Sequence, residues 1–288
     1  MKTPDHKLIS PTALFVADYR RYTDITYSRE IAEVLNTRET VENLLWWGDV
    51  AKRLDWLAWY LEVRFKCITQ ELERLWIKNI LEIASWIAPR WYIMTEDSSI
   101  TYIDTDLPDM IDIRNQIFEN ILWGRSRKSN HISFSLNVLD RDEVSRIISY
   151  FNGEPFAVVH EWLLSYFSRD EKKIMAENIY PHLKNNGGVW ITPDLSTQDT
   201  IKKLIEYDKY ISEIMSLISW ITERNLSTNV FENETEIIKF YQNMWFKVEI
   251  KFRYNRNYYP ISSIESLWLD PEFIIPLNEK SRIMVMSL

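Results

Sequence analysis

The chain has 288 residues, 46% of them hydrophobic and 26% charged, which is ordinary for a folded globular protein with one large core. Its net charge of -8 speaks against bulk nucleic acid as a partner, and the single cysteine, Cys67, excludes an internal disulfide framework or a thiolate metal cluster. No apolar run is long enough to cross a bilayer, and the first residues lack the pattern of a signal peptide, so a cytoplasmic chain with no membrane partner is expected. One feature of the composition is abnormal: five glycines stand against thirteen tryptophans.

In chain order, the apolar spacing from Ser28 to about Trp76 is helical, which gives an N-terminal helical cap over residues 1–76. The period then changes. Asn79 to Ser85 is a short apolar run suited to a buried strand, and a second strand is expected at Ile100 to Asp104. A helix follows through residues 109–122, then a strand at Ile132 to Val138. Asp140 and Glu143, at capping-box spacing, open a helix that stops before Gly153. Phe156 to His160 is the next strand, and Ser168 with Glu171 opens a helix that ends at Gly187 and Gly188. A strand at Val189 to Thr192 and helices near 198–219 and 233–244 come next. The alternating run Phe246 to Phe252 and a last strand Ile283 to Met286 can close one edge as an antiparallel pair.

Strands alternating with helices imply an α/β fold: a Rossmann-like, doubly wound, mostly parallel sheet with an antiparallel edge, over residues 77–288. Ligands of such sheets bind outside the carboxyl ends of the strands, where the strand order reverses. The glycine-rich loop of a dinucleotide site is missing after the first strand, where Glu82-Ile83-Ala84-Ser85-Trp86 stands instead. Asp104, about twenty residues further on, is placed to accept hydrogen bonds from two ribose hydroxyls, or else it caps a turn. Four scattered histidines (His6, His131, His160 and His182) offer no metal-ligand spacing, and no metal site is expected. The basic stretch Arg125 to Lys128 reads as a solvated loop.

Several segments together resemble the leucine carboxyl methyltransferase / polyketide O-methyltransferase family, which uses S-adenosyl-L-methionine. They are residues 79–110, Glu161-Trp162-Leu163-Leu164-Ser165-Tyr166-Phe167, and Asn186 to Asp194, with Tyr22 to Arg29 and Glu62 to Lys66 in the cap. The resemblance implies that Arg64 pairs with the methionine carboxylate of the cofactor, a task suited to a guanidinium fork. It implies that Glu82 and the backbone of Ala84, Ser85 and Trp86 line the cofactor loop. Asp104 takes the ribose, with Asp106 able to share or replace it. Leu139 and Asp140 flank the adenine, and Glu161 lies near the sulfonium. The implied activity is O-methylation of a small molecule or carboxylate, without a metal, since in-line methyl transfer can rest largely on placement. A carboxylate acceptor needs no base; for other acceptors Glu161, Tyr166 and His160 are candidates by position.

The departure from the family is systematic. Trp86, Trp91 and Trp162 stand where the family has glycine, and Trp76, Trp123, Trp220 and Trp245 lie where glycine is the natural residue. Either UGA codons meant as glycine have been rendered as tryptophan, or the tryptophans are native and block the pocket of a non-catalytic binding protein. A nucleotide-using oxidoreductase is the third reading; the missing phosphate loop counts against it.

Overall fold

The computed structural model describes residues 10–45, 55–123, 128–207, 210–252, 260–270 and 282–288. Its frame is a seven-stranded sheet: β1 (Asn79–Ile83), β2 (Thr101–Asp106), β3 (His131–Ser135), β4 (Phe156–His160), β5 (Gly188–Thr192), β6 (Lys247–Phe252) and β7 (Arg282–Ser287). The spatial order is β3-β2-β1-β4-β5-β7-β6. The first five strands are parallel, and β7 runs antiparallel to both β5 and β6, one place in from the edge.

Both faces of the sheet are covered, which is why its central strands read as continuous apolar runs. Leu81, Val158 and Trp190 face one core, which they share with α7 (Arg141–Ile148), α8 (Arg169–Asn186) and α12 (Glu234–Gln242) through Val144, Met175 and Tyr241. Ile80, Val159 and Ile191 face the other. There they meet α1 (Ser10–Arg20), α2 (Ser28–Val34), α4 (Trp56–Leu75) and α6 (Pro108–Leu122) through Ala17, Ile31, Ile68 and Phe118. Helices α1, α2 and α4 thus lie against the sheet, and α3 (Thr37–Leu45) packs on α1 and α4 through Val41, beside Phe15, Tyr19, Ala58 and Leu61.

Local chemistry accounts for most boundaries. Ser168 accepts the backbone N–H of Glu171 while the Glu171 carboxylate accepts that of Ser168, so α8 starts on a complete capping box. Asp140 caps α7 through the N–H groups of Asp142 and Glu143, and Asn233 caps α12 through that of Glu236. Pro108 occupies the first turn of α6, where its missing N–H costs nothing. Several expectations change, among them that β1 ends at Ile83 rather than Ser85 and β3 at Ser135 rather than Val138. The helical stretch from Ser28 breaks after α2, because Asn36 turns left-handed with φ 47°. The helix expected at 198–219 is two, α9 (Gln198–Tyr207) and α10 (Tyr210–Thr222). Strand β2 continues two residues past Asp104, since Thr105 and Asp106 still pair with Phe134 and Ser135. The short helices α5 (Arg90–Met94), α11 (Leu226–Asn229) and α13 (Ser262–Ser266) complete the described elements. Arg125 to Arg127 and His6 lie outside the described residues.

Candidate functional site

Strand order reverses between β1 and β4: β1 is flanked by β2 on one side and by β4 on the other. The crevice outside their carboxyl ends is where such a sheet accepts a ligand. The chain leaves β1 through Glu82, Ala84 and Ser85, and leaves β4 through His160, Glu161 and Trp162. Ala84 and Trp86 both adopt left-handed backbone, at φ 53° and 42°, so the loop after β1 bends sharply. Asp106, the last residue of β2, fixes that bend: its carboxylate accepts the N–H of Trp86 at 2.8 Å and that of Leu107 at 2.8 Å. Burial pushes the Asp106 carboxyl up to about 6, against the two backbone N–H groups, which act the other way.

A buried ionic network lies beneath the crevice. Glu161 accepts from Arg20 at 2.9 Å and from Arg90 at 2.6 Å. Arg90 continues to Glu82 at 3.2 Å and also holds the Phe65 carbonyl and the Thr69 hydroxyl of α4. The Tyr102 hydroxyl donates to the other oxygen of Glu82 at 2.7 Å. Burial raises the Glu82 carboxyl, with Arg90 and Tyr102 opposing.

Asp194, just after β5, was not singled out as a site residue by sequence reasoning, yet it organises the neighbouring half of the site. Its carboxylate accepts three consecutive backbone N–H groups, from Trp162 at 2.9 Å, Leu163 at 2.8 Å and Leu164 at 3.0 Å. It also pairs with Arg64 and stands 3.2 Å from His160 Nδ1. Burial alone would raise the Asp194 carboxyl; Arg64, His160 and the backbone donors outweigh it and hold the group well below the usual range. Arg64 is buried on α4, donates to the Pro193 carbonyl at 3.1 Å, and lies 4.1 Å from the centroid of the Trp162 ring that covers it.

The residues expected from the sequence therefore fall into three groups. Arg64, Glu82, Glu161 and His160 come together in the network just described. Ala84, Ser85, Trp86 and Asp106 form the clasped loop beside it. Leu139 and Asp140 lie past the end of β3, where Asp140 is engaged as a helix cap, and Tyr166 follows β4 with its N–H on the Leu163 carbonyl. Asp104 stands apart. It is fully buried two residues inside the strand end, bonded to Arg114 and to His131 Nε2, so it is a core ion pair rather than a group lining the crevice.

One small cavity borders the Asp194 side of the site. A cavity of about 20 Å³, lined by Arg64, Trp162, Lys172, Asp194, Asn229 and Phe231 among others, holds about one water. The indole nitrogens of Trp86 and Trp162 are buried without an acceptor among the described residues. No cluster of His, Cys, Asp and Glu that could hold a metal occurs among the described residues, and no described helix is long and apolar enough to cross a membrane.

No family model matches the chain, and no curated protein matches it. It is similar to several solved structures. PigF with SAH is 13% identical at a TM-score of 0.44, over 74% of this chain and 51% of that one. Human N-acetylserotonin methyltransferase in complex with SAM is 10% identical at 0.46, over 92% and 58%. Magnesium protoporphyrin IX methyltransferase (ChlM) from Synechocystis PCC 6803 with bound SAH is 10% identical at 0.44, over 78% and 82%. The chain spans about half the length of PigF. Likeness at this level carries no argument about what the chain does.

Proposed function

We propose that the fold serves an S-adenosyl-L-methionine-dependent methyltransferase acting on oxygen in a small molecule or a carboxylate. One observation carries the reading. The residues that resemble the methyltransferase family, Glu82 to Trp86 and Glu161 to Phe167, flank the point where the strand order reverses, and an acidic strand end, Asp106, clasps the loop between them. In this reading Asp106 takes the ribose hydroxyls, because it is the acidic group at the end of β2, whereas Asp104 is committed to Arg114 and His131. Glu161 and Arg64 stand at the methionine end, and Leu139 and Asp140 at the adenine end.

The residues as they stand do not fit the cofactor. A ligand of that size needs a pocket of several hundred Å³, and the cavity beside Arg64 and Trp162 measures about 20 Å³. Trp86 and Trp162 occupy the two loops that would have to bring their backbone against it. With both indoles in place, a binding protein without catalysis is the second reading.

The deciding experiment is calorimetric titration of S-adenosylmethionine against the chain and against its Trp86→Gly/Trp162→Gly variant. Saturable binding is expected for the variant and none for the unsubstituted chain. Asp106→Asn in the variant should weaken binding about tenfold or more, the size of a lost hydrogen bond to a charged group. A correctly folded variant that binds nothing would overturn the assignment.

A further inference from the structure

Eleven non-glycine residues among those described have φ in the left-handed region, and six of them are tryptophan: Trp76, Trp86, Trp123, Trp162, Trp245 and Trp268, at φ between 42° and 71°. Left-handed backbone crowds a Cβ against the following carbonyl, so it is the province of glycine and, less often, asparagine or aspartate. An indole gains nothing there. All three described glycines, Gly153, Gly187 and Gly188, also have positive φ. The described fold thus makes one kind of demand at fourteen positions, and the chain answers it with glycine at three, with tryptophan at six and with Tyr27, Asn36, Ala84, Asn152 and Glu223 at the other five.

The surroundings of the six agree. Trp76, Trp123, Trp245 and Trp268 are between 76% and 92% exposed, so no packing offsets the backbone strain. Trp76 and Trp123 follow the last residues of α4 and α6 in the left-handed cap conformation where helices most often carry glycine. Trp86 and Trp162 are partly buried, and their indole N–H groups have no acceptor among the described residues. The ordinary tryptophans differ in backbone and burial. Trp56, Trp59 and Trp190 are buried on a helix face or in a strand without positive φ, and the rings of Trp56 and Trp190 meet Tyr60 and Tyr241, although the Trp190 indole N–H also has no acceptor among the described residues.

We infer that the polypeptide made in its own cell carries glycine at these six positions, each specified by a UGA codon that its ribosomes decode as glycine. Glycine encoded by GGN and tryptophan encoded by UGG are untouched by such a code, so true glycines and true tryptophans persist beside the six. The same cause lowers the glycine count and raises the tryptophan count. Backbone geometry refines the set obtained from sequence: it adds Trp268 and leaves out Trp91 and Trp220. Trp91 is fully buried and stacked on His131 with ring centroids 3.9 Å apart, and Trp220 is an exposed residue inside α10; neither has positive φ.

Two of the six lie in the crevice, and glycine at 86 and 162 clears both loops of side chains. That consequence rests on the methyltransferase reading; the glycine assignment itself rests on φ and exposure. The test reads the source DNA at the six positions, with peptide mass spectrometry of the chain purified from its own cells. UGA is expected at 76, 86, 123, 162, 245 and 268, UGG at 56, 59 and 190, and a tryptophan-to-glycine mass difference in each peptide that spans one of the six. UGG at the six, or UGA with tryptophan in the peptides, would overturn the inference. If UGA and glycine are found while Trp86→Gly/Trp162→Gly binds no S-adenosylmethionine, the methyltransferase reading falls and the glycine assignment stands.

Discussion

Asp106 carries two opposed influences on one carboxylate. Two backbone N–H groups favour its charge, and burial disfavours it more, leaving the group near pH 6. The unfolded chain titrates near the ordinary value of about 3.9. Between about pH 4 and 6 the folded form keeps a proton that the unfolded form has lost, so stability falls as pH rises through that window. Above about 6 the full cost is present, on the order of 2–3 kcal/mol. Asp106→Asn removes this dependence. Equilibrium unfolding should show the variant gaining about 2 kcal/mol on the parent between pH 4.5 and pH 7.5. Parallel curves for the two proteins would show that Asp106 is ionised in the fold at both pH values.

Asp194 joins elements rather than residues. It ties the end of β5 to the loop after β4 through three backbone N–H groups, and to α4 through Arg64. Asp194→Ala leaves those donors and a buried guanidinium without their carboxylate. The expected loss is about 3–5 kcal/mol in denaturant unfolding, the usual cost of breaking a buried ion pair from one side; a loss under about 1 kcal/mol would mean that water replaces the carboxylate. This group also shows what sequence conveys and what it does not. The seven strands were legible because apolar runs and alternation mark them, and the helix starts at Asp140, Ser168 and Asn233 because capping is a contact within four residues. Asn36 breaks the first helical stretch by a backbone turn that apolar spacing does not encode. The partners of Asp194 lie thirty or more residues away, so its role exists only once β4 and β5 are paired. Asp104 and Asp106 differ for the same reason: two residues of strand length, set by pairing with β3, put Asp106 at the strand end and leave Asp104 inside the sheet.

At the scale of the whole molecule, the tryptophans matter because native stability is small, about 5–15 kcal/mol. Left-handed backbone costs roughly 1–2 kcal/mol per residue that bears a Cβ. Six such residues therefore cost about as much as the fold is worth. In a doubly wound sheet with capped helices and two covered faces, one residue type contradicts the backbone repeatedly, accounting for six of the eleven non-glycine residues at positive φ among those described. A single cause outside the folding physics accounts for that better than six independent compromises.

Equilibrium unfolding of the quadruple variant Trp76→Gly/Trp123→Gly/Trp245→Gly/Trp268→Gly tests this most directly, since all four side chains are exposed and none borders the crevice. Replacing a large apolar residue by glycine ordinarily destabilises a protein. Here relief of strain at four left-handed positions, less the added entropy of the unfolded chain, predicts a gain of about 2–4 kcal/mol. Equal or lower stability in the variant would contradict the account that backbone strain marks these four tryptophans.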